Sequence, residues 1–226
     1  MADGGTIAQR ITDLIGSEYS TNAAYAGDFI NAAINEIADV LPLPLLLKYS
    51  PVPLPVTSSS GVSMEGKKVL EVSRVDADSS GIERICQQVD RRSFSQGKDS
   101  TSIHYATVFN PIFHIDTNTG TADLLIYPDC NSSGQAGKIW VFTYVANGAD
   151  TTGVTGALLN SDYVLPSELI HAVSLKSSVN LLSSYMSNSI QDDEDAEIVQ
   201  MLTAQVASLQ GQYEQEMTRF VGEKAE

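Results

Sequence analysis

The sequence predicts an α+β fold in which N- and C-terminal helices pack as a helical bundle, with an inserted antiparallel β sheet or barrel domain projecting from it. Three observations predict it. Apolar residues recur at three- and four-residue spacings near both ends of the 226-residue chain. The middle alternates apolar and polar residues over short runs. Turn-forming Gly, Asn, Ser and Pro separate those runs. An apolar fraction of 42% and a charged fraction of 18% belong to a folded globular protein rather than a disordered tail.

The first helix is expected over residues 7–15, where Ile7, Ile11 and Leu14 share one face and Gly16 suits the end. A second helix is expected over 21–41. There Ile30, Ile34, Ile37 and Leu41 form a core-facing stripe, and alanines allow a neighbour to come close. Pro42 and Pro44 should stop it. Residues 43–56, with Pro44, Pro51, Pro53 and Pro55, are expected as extended edge or connecting chain.

Residues 57–61 read as a loop. Strands are then predicted over 68–75, 82–89, 103–108, 112–116, 122–127 and 138–145. Asn118-Thr119-Gly120 reads as a hairpin turn, and residues 129–137 as a longer loop. Residues 147–161, rich in Gly, Thr and Ala, form a connection back to helix. The domain reading is therefore a helical part from 1–42 and 163–226, and a β-rich insertion over 43–162.

Residues 164–220 read as two amphipathic helices joined by an acidic elbow. Pro166 suits the first helical turn, and Glu168 adds favourable charge near that N-terminus. Leu169, Val173, Val179, Leu182 and Met186 make one stripe, while Ile170, Leu181 and Tyr185 add apolar character elsewhere, so this helix needs more than one neighbour. In the elbow Asp192, Asp193, Glu194 and Asp195 stack carboxylates at the start of the last helix, where orphan N–H groups stabilise them. That helix carries Ile198, Leu202, Gln205, Leu209, Tyr213, Met217 and Phe220 near one face.

The chemistry-bearing motifs are sparse. Cys86 and Cys130 are expected as free thiols, and no C-x-x-C or H-x-x-x-H spacing occurs. A site gathered from Cys86, Cys130, His104 and His114 has no sequence signature. No G-x-S-x-G elbow, P-loop or G-x-G-x-x-G fingerprint is present. Asp116, Asp123 and Asp129 could supply acids to a glycosidase, but Trp140 is the single tryptophan available to hold sugar. The expectation is a protein without catalytic site, metal or cofactor.

Charge is more informative. A net charge of −15 argues against a reader of nucleic-acid sequence, which needs a basic face for phosphates. It suits a wall past which nucleic acid slides without sticking. The basic residues Lys67, Lys68, Arg74, Arg84, Arg91, Arg92 and Lys98 concentrate in the β region, whereas nine acids fall within 189–226. That asymmetry permits head-to-tail matching between copies. The N-terminus lacks the basic and apolar regions of a secretory signal, and no run is long and apolar enough to cross a membrane.

The order of elements carries a resemblance. Leucines and prolines end the N-terminal helices, and the β insertion contains Asp99-Ser100-Thr101-Ser102-Ile103-His104-Tyr105-Ala106-Thr107. A Leu165-Pro166-Ser167-Glu168-Leu169 helix start, the acidic elbow and a long terminal helix follow. Over most of its length the chain resembles the head-to-tail connector, or adaptor, proteins of tailed bacteriophages, including the tubular tail protein A type of T7-like viruses. The resemblance implies a structural virion protein, made in the host cytoplasm and placed at the head–tail junction. It implies a homo-oligomeric ring, commonly of twelve copies, docked beneath the portal protein, with the β part meeting the downstream tail or nozzle protein. Carried onto this chain, it makes Tyr213, Met217 and Phe220 portal anchors and Asp192, Asp193, Glu194 and Asp195 channel-facing acids past which DNA moves. Two alternatives are another tail ring, such as a tail terminator, and a carbohydrate-binding or hydrolytic β module.

Overall fold

A computed structural model describes residues 7–16, 23–50, 52–57, 61–76, 81–117, 122–130, 136–145, 167–191 and 196–222. It is an α+β protein. Six helices and two four-stranded sheets occur among these residues. The chain divides into two compact units, Met1–Leu45 with Tyr144–Glu226, and Leu46–Thr143.

The first unit is helical. Helix α1 (Ile7–Ile15) buries Ile7, Ile11 and Ile15. It ends at Gly16, whose φ of 86° lets its N–H reach the Thr12 carbonyl at 2.8 Å. Helix α2 (Ala23–Val40) buries Ile30, Ile34 and Ile37, and Leu41 beyond its end completes the expected stripe. Helices α5 (Ser167–Gln191) and α6 (Ala196–Gly222) complete the unit. Helix α5 touches α1, α2 and α6. Accordingly Leu169, Ile170, Ala172, Val173, Leu175, Leu181 and Leu182 are all buried, leaving no one-sided apolar stripe.

The returning chain is fastened to α2. The Asn35 side chain donates to the Val145 carbonyl at 3.0 Å and accepts from the Val145 N–H at 2.9 Å. The Tyr144 hydroxyl donates to Asp39 at 2.7 Å. An asparagine amide satisfies both backbone groups of Val145, as a neighbouring strand would. Tyr144 and Val145 thus already belong to the helical unit.

A short helix α3 (Leu43–Lys48) follows directly on α2. Extended chain was expected there. Pro42 and Pro44 do end α2, but Pro44 falls in the first turn of α3, where a missing N–H costs nothing.

The second unit is β-rich. Its strands are β1 (Leu54–Val56), β2 (Val62–Ser63), β3 (Lys67–Asp76), β4 (Ile82–Ile85), β5 (Gln87–Gln88), β6 (Ile112–Asp116), β7 (Asp123–Tyr127) and β8 (Gly137–Thr143). One sheet has the order β1-β8-β3-β4, the other β2-β7-β6-β5. Pro55 lies in β1 at a sheet edge, where a strand tolerates proline. The predicted run 82–89 is two strands that change sheets at Cys86. The β5–β6 pair is parallel, whereas an antiparallel sheet or barrel was expected, and no closed barrel forms among the described residues. Val56, Val72, Ile139 and Val141 of one sheet and Phe113, Leu124 and Ile126 of the other share a single core with Cys86, Cys130 and Met64.

One strand expectation fails, and one helix was not foreseen. Residues 103–108 are turns carrying an isolated Thr107–Asn110 bridge, not a strand. Between β5 and that segment lies helix α4 (Arg91–Lys98), which the sequence reading did not anticipate. Its N-cap Asp90 accepts from the Ser93 N–H at 2.7 Å. The expected 118–120 turn, the 147–161 connection and the 192–195 elbow lie outside the described residues.

Candidate assembly surfaces

Helix α6 buries Leu202, Leu209 and Met217, spaced seven and eight residues apart. Such spacing is a narrow seam, so most of the 27-residue helix faces water. Gln205 reinforces the seam by donating to the Leu14 carbonyl at 3.2 Å. The three residues expected to anchor a portal differ in accessibility. Met217 is buried within the unit, while Tyr213 and Phe220 are half-buried. The Lys176 ammonium sits 5.6 Å from the centre of the Tyr213 ring and also pairs with Glu36 at 3.0 Å. Burial and the nearby Glu36 carboxylate push the Tyr213 hydroxyl above its ordinary pKa. The four elbow acids, Asp192, Asp193, Glu194 and Asp195, fall outside the described residues.

In the β-rich unit a group of exposed apolar side chains lies between α4 and β6. Ile103 is 95% exposed and Phe109 62%, with Tyr105 exposed beside them. The backbone that presents them is closely braced. The Asp99 carboxylate accepts from the N–H and hydroxyl of Thr101 at 2.9 and 2.7 Å. Ser102 donates to the Asp99 carbonyl, Tyr105 to Ser102, Ala106 to Gly97 and Asn110 to Thr107. Ala106 buries itself against Phe94 and Ile112. The Tyr105 and Tyr127 rings meet edge to face with centroids 6.2 Å apart. The Tyr127 hydroxyl donates to the Tyr105 hydroxyl at 3.4 Å, and this contact, followed by burial, raises the Tyr127 pKa to about 12.

A strand was expected over 103–108, where Ile103, Tyr105 and Thr107 alternate as β-formers do. The usable signal was its bracketing by Asp99, Ser100, Ser102, Asn110 and Pro111, all turn residues.

Arg84 of β4 links the sheet to this segment, with its guanidinium 4.8 Å from the centre of the Phe109 ring. Arg74, opposite Arg84 in the β3–β4 register, is instead fully buried. Its Nε donates to the Pro128 carbonyl at 2.9 Å, which offsets part of the cost of burying a charge. Cys86 and Cys130 lie near this guanidinium as free thiols. Burial, and next the neighbouring Cys130, push the Cys86 thiol up to about 12. Such a thiol is a packing group rather than a nucleophile at neutral pH.

A cleft of about 430 Å³ is lined by Gln88, Val89, Asp90, His114 and Ile115. Its two ionisable groups already have partners. His114 Nδ1 lies 3.2 Å from the Val89 carbonyl, and Asp90 caps α4, so its carboxyl is held below the usual range by Ser93. No hydroxyl or thiol lines this cleft. His104 is exposed on the turn segment, and His171 on α5. Asp116, Asp123 and Asp129 are half-buried. Among the described residues no group of three or more His, Cys, Asp or Glu is placed to hold a metal ion, and no helix is long and apolar enough to cross a membrane.

No protein-family model matches the chain, and no curated protein matches it.

Proposed function

We propose that this chain is a structural virion protein, one copy of a ring that joins a portal to a tail and lets DNA pass. The observation that carries the reading is the construction of the helical unit. Both ends of the chain build it around α5, which buries apolar residues toward α1, α2 and α6, and α6 clings to it by one narrow seam. We read α1, α2, α5 and α6 as a helical bundle whose last member offers a long outer surface to other subunits. The β-rich unit, inserted between the two halves, is free to meet a different partner, the downstream tail or nozzle protein.

In this reading Phe220 and Tyr213 engage the portal directly, and Met217 holds α6 in position for them. Asp192, Asp193, Glu194 and Asp195 repel phosphate along the channel, a role supported by the chain's net charge of −15. The resemblance to phage connectors supplies twelve as the copy number and the head–tail junction as the location. The protein's work is assembly, not catalysis, and it requires no cofactor.

Virions test this. Cryo-electron microscopy of intact particles should place the chain as a ring directly beneath the portal, and particles lacking it should be tailless. Infectious particles made without it, or density for it elsewhere, would overturn the proposal.

A further inference from the structure

We propose that the exposed apolar segment of the β-rich unit is a docking surface for the acidic helical unit of a second copy of this chain. The surface consists of Ile103, Tyr105 and Phe109 together with Arg84 and the edge strand β4. The inference rests on the connector reading and adds the contact that would build its ring.

Three features support it. The first is rigid exposure. Ile103 and Phe109 stand in water on a segment held by four backbone hydrogen bonds and by buried Ala106, so they are presented rather than merely loose. The second is an adjoining open edge. Strand β4 ends its sheet, and its Ile82 and Ile85 are exposed, leaving backbone groups and apolar side chains available together. Arg84 over Phe109 ties this edge to the segment.

The third feature is charge, which selects the occupant. Nine of the 13 basic residues lie in the β-rich unit against ten of the 28 acids, so the helical unit holds four bases and 18 acids. Arg91, Arg92 and Lys98 are exposed on α4, the helix that leads into the apolar segment. Nearly the whole net charge thus resides on a unit the same chain can offer to its neighbour. A contact between two different surfaces of identical copies is head-to-tail, and it closes into a ring when the rotation permits. Aromatic and arginine side chains at its centre are those that dominate interface energetics.

The test places p-benzoylphenylalanine at residue 103 or 109 of the full chain. Unlabelled and 15N-labelled protein are mixed, assembled with and without portal, irradiated and mapped by mass spectrometry. Both positions are exposed, so the replacement leaves the core intact. The expected result is mixed-isotope cross-links from residue 103 or 109 to peptides within 1–45 or 144–226. Their yield should fall at least tenfold in the Arg91→Glu, Arg92→Glu, Lys98→Glu triple variant, with circular dichroism unchanged. Rings that give no such cross-links, or only links within one copy or between two β-rich units, overturn the inference and leave the connector reading intact. A chain that stays monomeric beside its portal overturns both.

Discussion

Gly137 shows how a single position can be set by what surrounds it. It opens β8, and a Cβ there would lie 2.7 Å from Ile126 Cδ1, 3.0 Å from Val56 Cβ and 3.2 Å from Cys130 Sγ. The Ile126 methyl can turn aside, but Val56 Cβ is fixed to the backbone of β1. Gly137→Ala should therefore destabilise the protein by about 1–3 kcal/mol, despite the lower entropy cost of alanine. Urea unfolding would measure it, and an unchanged or raised midpoint would contradict the packing described. The sequence hid this role, because Gly137 ends a stretch rich in Asn, Ser and Gly that reads as a loop. Two protonated groups also tie stability to alkaline pH. Cys86 rises from 9.0 to about 12 through burial, and Tyr144 from 10.0 to about 12 through burial and its bond to Asp39. The folded state holds these protons more tightly than the unfolded chain, so their contribution is complete below pH 9 and is lost as pH rises toward 12. Stability followed against pH should fall across that window. Thiol alkylation at pH 8 should proceed only as fast as the protein opens.

At the scale of elements, periodicity foretold what is buried on one side and failed elsewhere. The stripe Ile30, Ile34, Ile37 and Leu41 was legible because each faces the core. Helix α4 was not, since Phe94 is its one large apolar side chain and its stability begins with the Asp90 cap. The turn segment misled for the opposite reason: β-formers stand there for exposure, not for pairing. Helix α5 contains a further departure. Ser174 and Ser178 donate to the Ile170 and Ser174 carbonyls at 2.8 Å, but the buried Ser177 hydroxyl finds no partner among the described residues. An unsatisfied hydroxyl costs free energy, and alanine is the better helix former. Ser177→Ala should raise stability by about 1 kcal/mol in thermal or chemical unfolding. A loss of similar size would show that the hydroxyl is held by something the fold does not reveal.

At the scale of the whole molecule, the division into a helical and a β-rich unit was legible as an order of elements. The place where the chain returns was not, because Asn35 signals its pairing with Val145 only once α2 and the end of β8 are both formed. The candidate assembly surfaces were partly legible. Charge separation could be read directly from the residues, and the seam of α6 followed from its spacing. Ile103 and Phe109 emerged only with the turns that present them. Head-to-tail assembly on a portal draws these features together, and one measurement tests it most directly: the native mass of the purified chain mixed with its portal. The account predicts a discrete species in which each portal carries a closed ring, twelve copies by the resemblance to connectors. A chain that remains monomeric, with portal and without it, would contradict the account.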